Sequence, residues 1–255
     1  MIHIERGSPP PGFEEKATEL ARRWGEARSR ESKLTASTFR QRIRPELRAE
    51  AAELSKRFRR KCAFCEARME HVQHPHIEHY RPKGRSEFEA YMFDWDNWLL
   101  SCGRCNESKW KHFPDCSGMP CLLDPAFDQP GQHLAFHRQD IEGLTERGRE
   151  TVRLLGLDRP PLARERASWL VRVGSLLLLA ACAKEKRVQS EARQLLIWCL
   201  QDDAPFAAMT RAWLSHEAPR LANPAQPHPR VSEADGLNRV ARLVAEHRAE
   251  TQQLI

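Results

Sequence analysis

The chain of 255 residues lacks the features that mark exported and membrane-embedded proteins. Its first residues, MIHIERGSPPPGFEEK, hold no apolar run of the kind that a signal peptide needs. The most apolar stretch, residues 169–183, is shorter than the ~20 residues of a bilayer-spanning helix and contains Arg172. This stretch therefore predicts a buried helix, and we expect a soluble, cytoplasmic protein. The chain also has no internal repeat.

Cysteine is plentiful, with eight residues, but the missing secretion signal favours thiolates over a disulfide framework. Four cysteines form two Cys-x-x-Cys pairs, Cys62/Cys65 and Cys102/Cys105. Together these pairs offer the four thiolates of a tetrahedral Zn²⁺ site, which predicts a structural zinc with no open position for chemistry. A redox dithiol is the alternative interpretation. The histidines that could replace one cysteine are His71, His74 and His76.

The other four cysteines carry weaker signals. Cys116 and Cys121, in the segment DCSGMPC, could form a second metal site, although no further ligand pair lies nearby. Cys182 and Cys199 lie in apolar helical sequence, which predicts that they are small core residues.

Positive charge is concentrated near the start of the chain. The net charge is +6, yet residues 1–61 hold 16 Lys and Arg against 9 Asp and Glu. This basic section ends in KRFRRK, directly before the first cysteine pair, and it suits attraction to a polyanion such as nucleic acid. The solvated face of an Arg-rich helix would explain the same composition.

Three regions of different composition predict a mainly α-helical protein with a central zinc-stapled finger. Residues 1–60 read as a basic N-terminal helical region. Residues 61–128 have too little apolar sequence for a core without metal, and they predict short strands near 76–80 and 95–100 followed by a helix. Residues 129–255 read as a C-terminal helical region. Its expected parts are a helix ending near Gly156, a helix capped by Asp158, helices near 190–200 and 205–216, a Pro-rich linker over 222–230 and a last helix from 233.

A candidate catalytic set lies on the predicted finger. His79 can act as a general base, because a neutral imidazole accepts a proton from water near neutral pH, and Asn97 is expected to orient its other ring nitrogen. Glu78 and Asn106 offer oxygen ligands for a catalytic Mg²⁺ or Mn²⁺ ion. Lys109, one helical turn beyond Asn106, is expected to bind a neighbouring phosphate. Each of these residues has a commoner structural role when taken singly, but their joint order favours hydrolysis of a phosphodiester.

The ordered motifs over residues 62–109 resemble the HNH nucleases, the ββα-metal finger family. The family's histidine matches His79, its central asparagine matches Asn97 and its third position matches Asn106. Glu78 stands where the family commonly has Asp. The resemblance implies that the central domain, residues 61–128, is a zinc-bound HNH nuclease domain with a metal-dependent endonuclease activity, with DNA as the favoured substrate.

A closer resemblance rests on the segments IEHYRPK, DWDNWLLSCGRCNESKWKHFP and CLLDPAFD. They look like those of the PtuB-like HNH subunits of Septu-type anti-phage systems, which also occur beside some retrons. This resemblance covers about a third of the chain and implies a stable heteromer with an ABC/SMC-like ATPase subunit. Two alternatives stay open: a non-catalytic zinc-stapled adaptor that binds nucleic acid or an ATPase, and a stand-alone HNH enzyme.

Overall fold

The computed structural model describes residues 1–69 and 76–221, with side chains up to residue 216. The chain divides into two compact units. The first holds residues 1–134 and 143–157, and the second holds residues 135–142 and the chain from residue 158. These units differ from the three predicted regions, since the N-terminal helices and the cysteine-rich segment share one unit. The predicted linker and last helix, as well as His71 and His74, lie outside the described residues.

Three helices form the N-terminal part of the first unit: α1 (Phe13–Arg30), α2 (Ala36–Arg42) and α3 (Arg48–Arg57). The apolar face of α1 buries Phe13, Leu20 and Trp24, as the three- and four-residue spacing of apolar positions predicts. The short helix α2 begins where the hydroxyl of Thr35 accepts a hydrogen bond from the backbone N–H of Thr38. A 3₁₀ turn leads from α2 into α3.

A two-stranded antiparallel hairpin and a helix carry the candidate catalytic residues: β1 (His76–His79), β2 (Trp98–Ser101) and α4 (Gly103–Lys109). This strand–strand–helix order agrees with the sequence prediction. His79 lies opposite Trp98 in the ladder, and all four residues of β2 are buried. Successive side chains of a strand alternate between its faces, so His79 and Glu78 point in different directions.

The remainder of the first unit contains a small hairpin and a helix: β3 (Asp115–Cys116), β4 (Met119–Pro120) and α5 (Glu146–Leu155). Cys116 and Cys121 are joined by a disulfide with an S–S distance of 2.00 Å. The possibility of a second metal site at these two cysteines, left open by the sequence, is not realised, because each sulfur is bonded to the other.

The helix α5 fixes the CLLDPAFD segment. Arg147 forms a two-pronged ion pair with Asp128, at 2.7 and 2.8 Å, and Thr151 accepts a hydrogen bond from the backbone N–H of Leu123. The phenol of Tyr80, just after β1, donates to the carbonyl of Leu122 at 2.6 Å. The segment is thereby tied to the hairpin of β1 and β2.

The second unit is largely helical. It includes most of a hairpin that the sequence analysis did not anticipate, β5 (Leu134–His137) and β6 (Asp140–Gly143). Its helices are α6 (Pro160–Cys182), α7 (Lys186–Leu200) and α8 (Ala207–Leu221). Val173, Leu177, Leu196 and Leu214 lie at the centre of its core. Cys199 belongs to this core, as predicted, whereas Cys182 is only partly buried.

Two details of the helix ends were predicted from Gly156 and Asp158. Gly156 does end α5 in the left-handed conformation, with φ at 54°. The predicted cap at Asp158 is wrong, because Arg159 precedes the first turn of α6 and makes no side-chain capping bond. No helix in the described part of the chain is long and apolar enough to cross a membrane.

Candidate active site

The four cysteines of the two Cys-x-x-Cys pairs come together in a cluster that could hold a metal. Their sulfur atoms lie within 4.8 Å of one another, and the Sγ atoms of Cys65 and Cys102 are 3.9 Å apart. Zinc–sulfur bonds of about 2.3 Å place the corners of a tetrahedron roughly 3.8 Å apart, so this donor set fits Zn²⁺. Hydrogen bonds from the Cys105, Cys62 and Cys65 thiols hold the pKa of Cys102 below its ordinary value, while hydrogen bonds to Cys102 raise the pKa of Cys65 and Cys105. The four sulfurs therefore share their protons, and a bound metal would have to displace those protons.

The cysteine cluster is built onto the hairpin of β1 and β2. The backbone N–H of Ala63, inside the first pair, donates to the carbonyl of Leu100 on β2 at 2.8 Å. The second pair spans the junction between β2 and α4, with Cys105 fully buried inside the helix. A metal held by these thiolates would therefore join the first knuckle, the hairpin and the helix. His76 is exposed on β1 and is not part of the cluster.

The imidazole of His79 is buried and oriented by one hydrogen bond. Its Nε2 lies 3.0 Å from the carbonyl oxygen of Met92. Because a carbonyl oxygen only accepts, Nε2 carries the hydrogen and the neutral ring has its lone pair on Nδ1. Nδ1 is buried and has no hydrogen-bond partner. A buried nitrogen without a partner costs about 1–3 kcal/mol, and such an atom is expected where a substrate or a water molecule binds.

Burial also sets the protonation state of His79. Desolvation, followed by the charges of Lys83 and Arg40, holds the pKa of the imidazole well below 6.5. The ring is therefore neutral at physiological pH and able to accept a proton at Nδ1.

Trp98 supports the same arrangement from the opposite strand. Its indole N–H donates at 3.0 Å to the Met92 carbonyl that also accepts from His79. The rings of Trp98 and His79 meet edge to face, with centroids 6.3 Å apart. Since Trp98 is fully buried against Phe13 of α1, the N-terminal helices contribute to the position of the His79 imidazole.

Asn97 does not orient His79, so that prediction is wrong. Its side-chain oxygen accepts from the backbone N–H of Arg81 at 2.6 Å, and its amide nitrogen donates to the carbonyls of Arg81 and Tyr91. These three bonds use the amide to brace the loop between β1 and β2. Asn97 therefore acts on His79 only through the loop that carries Met92.

Lys109 does not have the phosphate-binding position that was predicted. Its ammonium is fully buried, 2.7 Å from a carboxylate oxygen of Glu78 and 2.7 Å from the carbonyl oxygen of His79. The predicted phosphate contact is contradicted, because Lys109 is inaccessible and its charge is already paired with Glu78.

A cavity of about 1010 Å³ opens beside His79. One wall comes from α2 and α3, and the other comes from β1, Lys83 and Asn106. Among the residues that the structure describes, its lining contains four Lys or Arg residues and no Asp or Glu. Asn106 and His79 thus share one cavity, as the sequence predicts.

The predicted pairing of Glu78 with Asn106 around a divalent ion does not fit this cavity. The described part of the lining has no carboxylate, and Glu78, which is not among the lining residues, is paired with Lys109. A hard cation binds mainly to charged oxygen ligands, and the Asn106 amide is the one oxygen donor of the predicted pair that lines the cavity. We therefore assign no chemical step to a divalent ion.

Three groups at the site were not identified from the sequence. The Met92 carbonyl carries no sequence signal, because any residue supplies a backbone oxygen. Lys83 lies in the quoted segment IEHYRPK, and its closeness to His79 in sequence could have drawn attention to it. Arg40 lies far upstream on α2, and only the packing of α2 against Trp98 brings it to the cavity.

These observations define a mainly helical protein with a four-cysteine cluster and a buried histidine in a cationic cavity. The chain is similar to two proteins described as Septu protein PtuB. The relative from Bacillus mycoides (strain KBAB4) is 31% identical, over 45% of this chain and 48% of its own length. The relative from Bacillus thuringiensis is 32% identical, over 39% of this chain and 37% of its own length. The similarity to PtuB that the motifs predict is confirmed.

The chain spans less than half the length of each of these relatives. No protein-family model matches the chain. No solved structure matches it either.

Proposed function

We propose that this chain is an endonuclease that hydrolyses phosphodiesters of nucleic acid, with DNA favoured, in anti-phage defence. The observation that carries the proposal is the buried His79 imidazole, whose Nδ1 lacks a partner beside a cavity lined by cations. The similarity to Septu protein PtuB supports the role in defence.

The chemistry follows from the orientation of that imidazole. A water molecule in the cavity attacks the phosphorus, and its proton passes to Nδ1 of His79 as the new P–O bond forms. The bond from phosphorus to the 3′-oxygen breaks, and the departing oxygen takes a proton from solvent. The hydrogen bond from Nε2 to the Met92 carbonyl keeps the ring in the required tautomer throughout.

We also propose that the chain works with an ABC/SMC-like ATPase subunit, as the PtuB-like motifs imply. The second unit supports such a partnership because it exposes large apolar side chains. Val171 is 70% exposed and Leu178 is 44% exposed, and the two lie on one face of α6.

A plasmid assay tests the nuclease proposal. Purified protein is incubated with supercoiled DNA, with and without the candidate ATPase and added Mg²⁺, and zinc is measured in every sample. We expect nicked or linear DNA from the wild type, none from His79→Ala, and equal zinc in both. His112→Ala is the matched control, because His112 is exposed and does not line the cavity. Absence of cleavage by the wild type under all these conditions would favour the adaptor hypothesis.

A further inference from the structure

The cavity beside His79 has an unusual charge distribution in its wall from α2 and α3. Arg40, Arg44 and Arg48 line it, and none of them makes an ion pair with a described residue. Neighbouring arginines that face away from the cavity are paired. Arg42 contacts Glu31 at 2.9 and 3.0 Å, and Arg23 contacts Glu46 at 2.7 and 3.0 Å. The unpaired guanidinium groups are therefore confined to the cavity side of these helices.

Arg40 is the most constrained of these groups. Its guanidinium lies over the ring of Trp98, 5.0 Å from the ring centroid, and its Nε is buried without a hydrogen-bond partner. Burial lowers the pKa of Arg40 to about 10, because removal from water disfavours a charged group that has no counter-ion among the described residues. A protein retains such a charge where an anion will compensate it.

Lys83, on the opposite wall, is a second cation that lines the cavity without an ion pair to a described residue. It follows β1, lines the cavity and makes no hydrogen bond or ion pair with a described residue. Burial lowers the pKa of its ammonium group. Lys83 and Arg40 both act on the charge of His79, so an anion between them would sit beside the unpartnered Nδ1.

We propose that Arg40 and Lys83 bind the scissile phosphodiester, and that Arg44 and Arg48 on the exposed rim hold neighbouring phosphates of the same strand. This inference rests on the proposed nuclease function and adds substrate-binding residues from outside the HNH-like motifs. Arg44 and Arg48 lie four residues apart, so they can follow a backbone along the cavity. Arg40 and Lys83 alone would be enough to bind a single small anion, so Arg44 and Arg48 favour a longer polyanionic ligand.

The site can be tested by nucleic-acid binding in the full-length, zinc-loaded His79→Ala protein, which cannot consume its ligand. A labelled DNA duplex and the same duplex as RNA are titrated over a range of salt concentrations. We expect Arg40→Met and Lys83→Met each to weaken binding roughly tenfold or more, because each removes a charge-assisted phosphate interaction. On B-DNA, the slope of log K against log salt should become shallower by about 0.9 for each phosphate that is no longer neutralised.

Arg42→Met is the matched control, since it removes a paired arginine from the same helix. It should leave both the affinity and the salt slope unchanged. The melting temperature separates binding from folding. We expect Arg40→Met to be at least as stable as the parent, because it removes an uncompensated buried charge. The duplex that the protein binds with the higher affinity, DNA or RNA, is the one expected to supply the phosphodiester.

The outcomes distinguish this site from the nuclease proposal itself. Suppose that Arg40→Met weakens binding and makes the salt dependence shallower, but the wild type never cleaves. The proposed phosphate-binding site would then be supported and the proposed nuclease activity would be contradicted. If instead the wild type cleaves DNA, and Arg40→Met and Lys83→Met bind and cleave it normally, the nuclease proposal would be supported. The proposed phosphate-binding site would be contradicted. A loss of affinity in Arg42→Met equal to that in Arg40→Met would also overturn it, since the effect would then be one of overall charge.

Discussion

His79 shows how one residue obtains a defined chemical state from its surroundings. The Met92 carbonyl selects the tautomer, burial keeps the ring neutral, and the nearby Lys83 and Arg40 reinforce that neutrality. These effects leave one unprotonated nitrogen on a ring whose residue lines a cationic cavity. A base prepared in this way needs no change in protonation before it accepts a proton from water.

The lowered pKa of His79 predicts a pH-dependent free energy of unfolding. In the unfolded chain the imidazole gains a proton as the pH falls through about 6.5, whereas in the folded protein it stays neutral until well below that pH. Stability is therefore full above pH 6.5 and is lost as the pH falls towards the folded pKa. As the pH falls from 7.5 to 5.5, this single group should lower the free energy of unfolding by about 1.4 kcal/mol.

Urea unfolding at pH 7.5 and 5.5 checks this value. From pH 7.5 to 5.5 the free energy of unfolding of the wild type should fall by about 1.4 kcal/mol more than that of His79→Gln, because the variant lacks the titrating ring. Equal losses in the two proteins would mean that His79 titrates normally in the folded state. His112→Gln should behave as the wild type does.

The buried Glu78–Lys109 pair makes a second prediction at the scale of residues. Lys109→Met leaves the Glu78 carboxylate buried without its partner, which should cost about 3–5 kcal/mol of unfolding free energy. Adding Glu78→Gln should restore much of that loss, because the pair is then removed as a whole. Thermal unfolding of both variants measures the difference. A Lys109→Met variant of wild-type stability that binds DNA poorly would instead support the earlier phosphate-binding prediction.

At the scale of elements, the hairpin of β1 and β2 depends on the cysteine cluster. The hairpin is only two strands wide, and two strands alone are marginally stable in water. A metal bound by thiolates on both sides of the hairpin would supply the missing free energy and fix the register that sets His79 opposite Trp98.

Cys102→Ser should therefore release zinc and unfold the hairpin. A structural zinc contributes on the order of 10 kcal/mol, more than the stability of a typical domain. Metal analysis gives the zinc content per chain, and hydrogen exchange over residues 76–101 reports on the strands. Cys182→Ser is the control, since this cysteine lies on α6 and is not a member of the cluster. A folded, metal-free Cys102→Ser protein would show that the cluster is not a metal site.

The sequence was most informative about elements whose residues act locally. The Cys-x-x-Cys spacing, the apolar periodicity of α1 and the glycine that ends α5 all depend on near neighbours, and those predictions agree with the structure. The roles predicted for Asn97 and Lys109 were wrong, because the loop between β1 and β2 folds around the Asn97 amide and the packing of α4 on β1 pairs Lys109 with Glu78. Arg40 was missed for the same reason, since α2 reaches Trp98 only in the folded protein.

At the scale of the whole molecule, the two units suggest a division of labour. The first unit contains the cysteine cluster, the cavity and the candidate base. The second unit contributes none of these groups among its described residues, but its α6 exposes Val171 and Leu178. We expect this face to bind the proposed ATPase subunit.

A charge on that face tests the expectation. Val171→Asp combined with Leu178→Glu should reduce co-purification with the ATPase by roughly tenfold or more, because charged groups would have to be desolvated in the interface. Zinc content and the unfolding temperature should not change. Glu165→Lys, an exposed change elsewhere on α6, should leave co-purification intact. Undiminished binding by the double variant would place the partner on another surface.

The most direct test of His79 as the base is the rate of DNA cleavage by the wild type, by His79→Ala and by His79→Ala supplied with free imidazole. Loss of a general base should lower the rate by about 100-fold or more, and added imidazole should restore part of it by entering the cavity that the missing ring leaves open. Cleavage by His79→Ala at the wild-type rate would contradict the assignment of His79 as the base.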